Sequence, residues 1–310
     1  MPSPSNSSSP GSGPGSEPGA GLLTPADVRM LANRLDIRPT KQRGQNFVID
    51  QNTIRRIVRL AGVCPGEQVL EVGPGLGSLT LGLLAAGAQV TAIEVDKRLA
   101  EALPEIVAER LPDAAGRLAV ISADALRVPL PLPKSATGEP CTPTKLVANL
   151  PYNVAVPILL RFLADQPSIT RAVVMVQAEV ARRLVAAPGG REYGIPSAKL
   201  AWFGSAGWLG SVPPSVFWPV PRVESALVEF DRVSSPTPEV ERDEIFRCID
   251  AAFAQRRKTI RRALSAWAGG GEVISDVLVR ARVDPSVRAE VLSIREFARI
   301  AGARTPGSGA

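Results

Sequence analysis

The chain contains no histidine among its 310 residues, which removes imidazole general bases, Ser–His and Cys–His relays and His-ligated zinc from consideration. Its three cysteines, Cys64, Cys141 and Cys248, are too few and too far apart for a CxxC clamp or a disulfide framework, and are expected as unpaired thiols. Aromatic residues make up only 5%, so Val, Leu, Ile and Ala must fill the core of a chain that is 45% hydrophobic. No run approaches the roughly 18 uninterrupted apolar residues of a membrane span, and the N-terminus lacks the basic-then-apolar layout of a signal peptide. A cytoplasmic protein without a membrane partner or a structural metal is expected. The charge balance, 36 Lys and Arg against 30 Asp and Glu, gives +6, a mild basic excess compatible with a polyanionic partner.

The first 20 residues hold seven Ser, five Pro and four Gly, which leaves almost nothing to bury and predicts a disordered tail over 1–20. Order is expected from TPADVRMLANRL, with Thr24 as cap and Pro25 in the first turn, then a polar turn at 38–46 and a second helix at NTIRRIVRL. From Gln68 the pattern is strand (EQVLEV), glycine turn (GPGLG), helix over about 76–86 and strand (QVTAIEV), a βαβ unit. Further apolar runs at LAVIS, KLVANL and RAVVMVQ, with a helix near VPILLRFL, imply a mostly parallel sheet covered on both faces, which KLAWFG and ESALVEF would extend as antiparallel strands. A composition shift at VSSPTPEVERDE predicts a linker near 233–242. The expected division is an α/β domain over 21–235, a small helical domain over 236–304 and a flexible end over 305–310.

The opening unit places Glu71, Gly73, Gly75 and Gly77 where the first strand turns into a helix, the position of a ligand crevice in open α/β sheets. A dinucleotide fingerprint needs its third glycine three places after the second, and residue 78 is Ser, so GxGxG argues against a pyrophosphate site. Glu94 ends the second strand, where a carboxylate accepts from both hydroxyls of a ribose. Asp124 in ISADAL reaches the same crevice as an acceptor for an adenine amine, with Ala125 leaving room for the ring. Helix capping or a solvated surface is the plain alternative for either acid, and Asp96 is a secondary candidate facing away from Glu94. A nucleoside without a pyrophosphate is what S-adenosylmethionine presents.

The fourth strand ends as VANLPYNVAVP. A purine amine is a poor nucleophile because its lone pair is delocalised, and a site that accepts both of its N–H groups favours the pyramidal geometry that frees it. The Asn149 side-chain oxygen and the Leu150 carbonyl are the candidate acceptors, with Pro151 fixing the turn. Tyr152 is a candidate to stack on an extruded base and Phe217 to cover the opposite face, although Phe217 in the core with Trp218 outside remains open from the sequence.

Taken in order, EVGPGLGSLT, AIEVD, SADAL, NLPY, FWPVPRVES and AFAQRRKTIRRAL resemble the ribosomal RNA adenine N6,N6-dimethyltransferase family over residues 40 to about 300. The resemblance implies a Rossmann-like S-adenosylmethionine-dependent methyltransferase domain with a helical C-terminal domain that helps hold RNA. It also implies that Gln45, Asn46 and Phe47 close over the methionine end of the cofactor, with Val48 standing where the family has Leu. The substrate so implied is a pair of adjacent adenines in the hairpin near the 3′ end of 16S rRNA within a pre-30S particle, each methylated twice by a monomeric enzyme. In that branch, loss of activity brings kasugamycin resistance. Another branch dimethylates one adenine of 23S rRNA and confers antibiotic resistance; NLPY with FWPVPRVES and RRKTIRRAL favours the first. A non-catalytic assembly factor on the same fold is the further alternative. A zinc deaminase is excluded by the missing ligands.

Arg256, Arg257, Lys258, Arg261 and Arg262 are the leading phosphate contacts, and with EIFRCIDAAFAQRRKTIRRAL patterned as helix, residues 257, 258, 261 and 262 are expected to form a stripe, against the alternative of a solvated face or ion network. Arg222, Arg182 and Arg183 are secondary candidates. The proline-rich stretch at 129–143 is expected as a surface loop.

Overall fold

The computed structural model describes residues 21–37, 46–132, 134, 137–234 and 239–304. The tail expected over 1–20, most of the turn at 38–46, part of the linker at 233–242 and the C-terminal end at 305–310 lie outside them.

Helix α1 (Pro25–Arg34) starts as its sequence predicts: the Thr24 hydroxyl accepts from the Asp27 amide while the Asp27 carboxylate accepts from Thr24 N–H, a capping box that satisfies two otherwise unpaired donors. After the two-residue strand β1 (Phe47–Val48), α2 (Gln51–Ala61) is capped by Asp50, whose carboxylate accepts from the Thr53 amide at 2.7 Å, and buries Ile54 and Ile57.

Strands β2 (Gln68–Val72), β3 (Gln89–Glu94), β4 (Leu118–Ser122), β5 (Lys145–Asn149) and β6 (Arg171–Gln177) are all parallel and lie in the order 4-3-2-5-6. Their crossovers include α3 (Ser78–Ala85), α4 (Lys97–Arg110) and α5 (Ala155–Asp165). Helices α6 (Ala178–Leu184) and α7 (Ile195–Phe203) lead into the edge strand β7 (Gly204–Val212), and after β8 (Phe217–Trp218) the chain inserts β9 (Ser225–Arg232) antiparallel between β6 and β7. The seven-stranded sheet is thus Rossmann-like with an antiparallel edge, and the apolar residues form two clusters. The order reverses between β2 and β5, so the carboxyl ends of those strands open the crevice that doubly wound sheets use for ligands.

Two local expectations fail. KLAWF is the second half of α7, not a strand. Gly194 and Pro196 start that helix, and it packs among α5, α6, α8 (Arg242–Ala254) and α11 (Ile294–Arg304). A helix covered on most sides is apolar all round and shows no 3.6-residue period. The long basic helix is also broken, into α8 and α9 (Ile260–Ala268), because residues 255–259 turn and Thr259 forms a β-bridge with Arg288 while the Ile260 amide donates to Val287 O.

Helices α8, α9, α10 (Gly271–Ala281) and α11 form the C-terminal assembly, and its buried Ile249, Leu264, Val277 and Phe297 belong to the same apolar cluster as Val174 and Val228 of the sheet. Tyr193 strengthens the junction: its ring is buried and its hydroxyl donates to Leu292 O at 2.9 Å. Tyr193→Phe should therefore leave a buried carbonyl without its donor and lower stability by about 1–2 kcal/mol in urea unfolding. An unchanged midpoint would show that the bond adds nothing to the junction.

Candidate active site

The carboxyl ends of β2, β3, β5 and the segment after β4 surround a cavity of about 400 Å³, within the range of small-molecule sites. Its wall includes Asn46, Phe47, Glu71, Gly73, Gly75, Glu94, Asp124, Ala125, Asn149, Leu150, Pro151 and Tyr152, so most of the residues singled out from sequence converge on one space. Gln45 lies outside the described residues. Gly77 does not line the wall but shapes it as the N-cap of α3.

The glycine turn requires glycine on two counts. Gly75 has φ +58° and a Cβ there would stand 2.9 Å from the Phe47 ring; Gly77 has φ +89° and a Cβ there would stand 2.6 Å from Leu103. Phe47 can therefore lie over the turn, stacked against Trp218 at 6.3 Å through the β1–β8 pairing. Glu94, at 5% exposure, accepts from the Gly75 amide at 3.1 Å with one oxygen and from the Asp96 amide at 2.9 Å with the other. Burial raises its carboxyl above the usual range, opposed by those two amides, and each oxygen retains a lone pair for a ligand hydroxyl. Asp96 caps α4 and is not in the wall. Asp124 is exposed; its Oδ1 accepts from the Leu126 amide at 2.8 Å, the capping role weighed against ligand binding, and its Oδ2 stands 3.7 Å from Arg127. Cys64, Cys141 and Cys248 are all free thiols.

Asn149 ends β5 with its amide nitrogen donating to Asn46 O at 3.1 Å, while its buried Oδ1 has no hydrogen-bond partner. An unsatisfied buried acceptor is unfavourable by about 1–3 kcal/mol, so it invites a donor from a bound molecule. Tyr152 borders the same space with its hydroxyl 2.6 Å from Ser225 Oγ. Phe217 corrects an expectation: it is 0% exposed, pairs with Val48 and belongs to the core, so it does not face Tyr152 across the cavity. Strand alternation turns Phe217 inward and leaves Trp218 partly exposed.

Residues the sequence did not flag also line the cavity: Val95, an exposed valine at 68%, Ser78, Leu99 and Asn153. Val95 sits between two acids in a strand pattern, and its exposure is the signal that only the structure supplies.

The basic residues are exposed but not equivalent. Arg256 is held by Glu290 at 3.0 Å and Arg191 O at 2.9 Å, and Arg261 by Ser275 at 2.8 Å. Arg257, Lys258, Arg262 and Arg222 have no acceptor among the described residues. Arg183, Arg191 and Arg256 line a second cleft of about 280 Å³ between the sheet unit and the C-terminal helices.

A Rossmann-like sheet in this order, with a GxGxG turn, an acid at the end of the neighbouring strand and an NLPY segment at the switch point, defines an S-adenosylmethionine-dependent methyltransferase. The family model described as "Ribosomal RNA adenine dimethylase" matches residues 38–303, and the chain belongs to that family. The protein called ribosomal RNA small subunit methyltransferase A in Cutibacterium acnes is 55% identical over 285 residues, covering 90% of this chain and 93% of that one. Among solved structures, a dimethyladenosine transferase from Plasmodium falciparum has a TM-score of 0.68 at 21% identity, covering 82% of this chain and 95% of that one, a likeness of fold. The 23S rRNA methyltransferase ErmE has a TM-score of 0.59 at 25% identity, covering 83% and 99%. The chain is accordingly an rRNA adenine dimethyltransferase. Among the described residues no helix is long and apolar enough to cross a membrane.

Glu71 gives the site a testable pH signature. Burial pushes its carboxyl from 4.5 up to about 8; the Thr80 hydroxyl, donating at 2.7 Å, opposes the rise and nearby Glu94 adds to it. The folded protein therefore holds a proton that the unfolded chain releases, so this group's contribution is fully present below pH 4.5 and is lost as pH rises through about 8. Glu71→Gln should flatten the fall of the urea midpoint across that window; the parental slope in the variant would contradict the assignment.

Proposed function

We propose that the chain transfers methyl groups from S-adenosylmethionine to N6 of two adjacent adenines in the 3′-terminal hairpin of 16S rRNA, in a late pre-30S particle in the cytoplasm, acting as a monomer. The observation that carries this reading is Asn149 Oδ1, buried beside the cavity without a donor and followed by Leu150, Pro151 and Tyr152. The small-subunit name of the 55% identical relative supports 16S rRNA over the 23S substrate named for the 25% identical structure.

The cavity residues fit the cofactor. Glu94 is oriented by two backbone amides to accept from the ribose hydroxyls, Asp124 and Ala125 border the place of the adenine, and Asn46, Phe47, Glu71 and the glycine turn surround the amino-acid end. When bound, the cofactor supplies an electrophilic methyl group on a sulfonium. Asn149 Oδ1 and the Leu150 carbonyl accept the two N6 hydrogens and orient the lone pair, and the Pro151 ring limits their movement. Tyr152, held by Ser225, offers a face to the extruded base, restoring about 1–3 kcal/mol of lost stacking. No group need take a proton before attack: positive charge passes from sulfur to nitrogen as the N–C bond forms and the S–C bond breaks, the nitrogen then releases a proton to solvent, and in the second transfer one acceptor holds the single N–H that remains.

Arg222, Arg257, Lys258 and Arg262 are the phosphate contacts, and Arg256, already anchored, borders the second cleft. The division into a catalytic unit over 21–235 and an RNA-holding helical unit over 236–304 belongs to the same proposal.

Labelled S-adenosylmethionine should yield N6,N6-dimethyladenosine in undermethylated small-subunit particles and none in large-subunit RNA; the reverse would select the 23S reading. Asn149→Ala should slow transfer by about 100-fold or more while cofactor affinity stays within a few-fold. Loss of binding with normal turnover would assign Asn149 to the cofactor instead. Replacing Arg257, Lys258 and Arg262 together by Ala should weaken particle binding and make its log–log salt slope shallower by about two to three. An unchanged slope would return these residues to a solvated face.

A further inference from the structure

Trp208 takes no part in the cavity wall, yet it is 39% exposed in β7, the edge strand of the seven-stranded sheet. An indole ring is a large apolar surface, and one left in water marks a contact for a partner. Ala206 and Gly210, two places away on either side, are too small to cover it. The Arg182 guanidinium lies over the ring, 6.0 Å from its centre. Arg182 is exposed and has no hydrogen-bond acceptor or carboxylate partner among the described residues, and Glu179, the one acid of α6, is taken by Arg183 at 2.6 Å. The backbone beside Trp208 is closed to another strand: Arg56 donates to Leu209 O at 2.9 Å and to Ser211 O at 3.3 Å. Gly210, at φ +134°, makes room for that guanidinium, which a Cβ there would strike. A partner at this edge therefore meets a ring and two cations rather than those two carbonyls.

The strand leads toward the cavity. Trp208 pairs with Val228, three residues along β9 from Ser225, whose hydroxyl holds Tyr152 in the cavity wall. At about 3.3 Å per residue, Trp208 stands about 10 Å along the sheet from Ser225. We propose that Trp208 and Arg182 form a stacking platform for an unpaired base of the RNA next to the target adenine, with the guanidinium on the adjoining phosphate. The assignment rests on the rRNA methyltransferase reading and deepens it. Extruding a base from its stack uncovers the faces of its neighbours, and single-stranded RNA is held by aromatic rings and arginine planes that restore stacking. A polyanion also suits an edge with two arginines, where the acid of α6 is already paired.

The test measures the affinity of the full chain for undermethylated small-subunit particles at several salt concentrations. Trp208→Leu keeps an apolar side chain without a π-face and should weaken binding about ten-fold, by the same factor at each salt. Trp208→Phe should stay within about three-fold of the parent, because it still offers a ring. Arg182→Gln should make the log–log salt slope shallower by about one. Both Trp208 variants should hold S-adenosylhomocysteine within about two-fold of the parent, which separates a lost contact from a lost fold. Parent-like particle binding by Trp208→Leu, or equal loss in the Leu and Phe variants, would overturn the platform and leave the rRNA reading standing. Self-association of the parent in sedimentation that Trp208→Leu abolishes would give this edge to a second copy of the chain and overturn it as well. A parent that neither binds nor methylates the particle would overturn the rRNA reading, and the platform with it.

Discussion

The site depends on one buried carboxylate. Glu94 stands at the end of β3 and accepts from the amides of Gly75 and Asp96, so the glycine turn after β2 is tied to the end of the adjacent strand. Neither strand alone would hold the turn in that shape, because its glycines are conformationally free and their ordering is entropically unfavourable. With Gly75 tied down, Phe47 can lie against it; with Phe47 in place, β1 pairs with β8 and the Asn46 carbonyl reaches the Asn149 amide. A chain of contacts from the second strand thereby orients the side chain at the end of the fourth parallel element. Asn149 is left in the cavity wall with a buried acceptor oxygen that has no partner.

This arrangement explains why a chain without histidine loses nothing in its chemistry. Methylation of an amine by a sulfonium requires alignment, and in the mechanism proposed the charge that forms on nitrogen is met by acceptor dipoles rather than by a base. Carboxylates are nevertheless present, and burial keeps the two deepest, Glu71 and Glu94, biased toward their neutral forms. A ligand with cationic groups would draw them back to ionisation, so ligand charge and carboxylate protonation are coupled in this cavity.

Most of the sheet was legible because parallel strands buried on both faces are written as short apolar runs, and because β2–α3–β3 has turn chemistry only glycine satisfies. Glu71, Glu94 and Asp124 were legible as acids at the ends of such runs, and Asn149 through the segment that follows it. The failures share a cause in contacts distant along the chain. Phe217 and Trp218 are adjacent aromatics, and which one turns inward is fixed by pairing with Phe47 and Val48 some 170 residues earlier. The helix α7 lacks periodicity because it is covered by elements from both halves of the molecule. The basic run reads as helical throughout, and the turn at 255–259 with the Thr259–Arg288 bridge and the Ile260–Val287 hydrogen bond divides it. Ser78 was passed over because serine after a glycine turn carries no signal until its hydroxyl is seen to be buried and alone.

The central claim is that neutral acceptors at the end of β5, not an ionisable base, make the adenine amine reactive. The most direct measurement is the single-turnover methyl-transfer rate on a preformed complex of enzyme, saturating cofactor and undermethylated small-subunit particle, followed across about pH 6 to 9. The account predicts a rate that stays level, since no group must lose a proton before nitrogen attacks. A rate that climbs ten-fold per pH unit over part of that range would show that a base must first be deprotonated, and would contradict it.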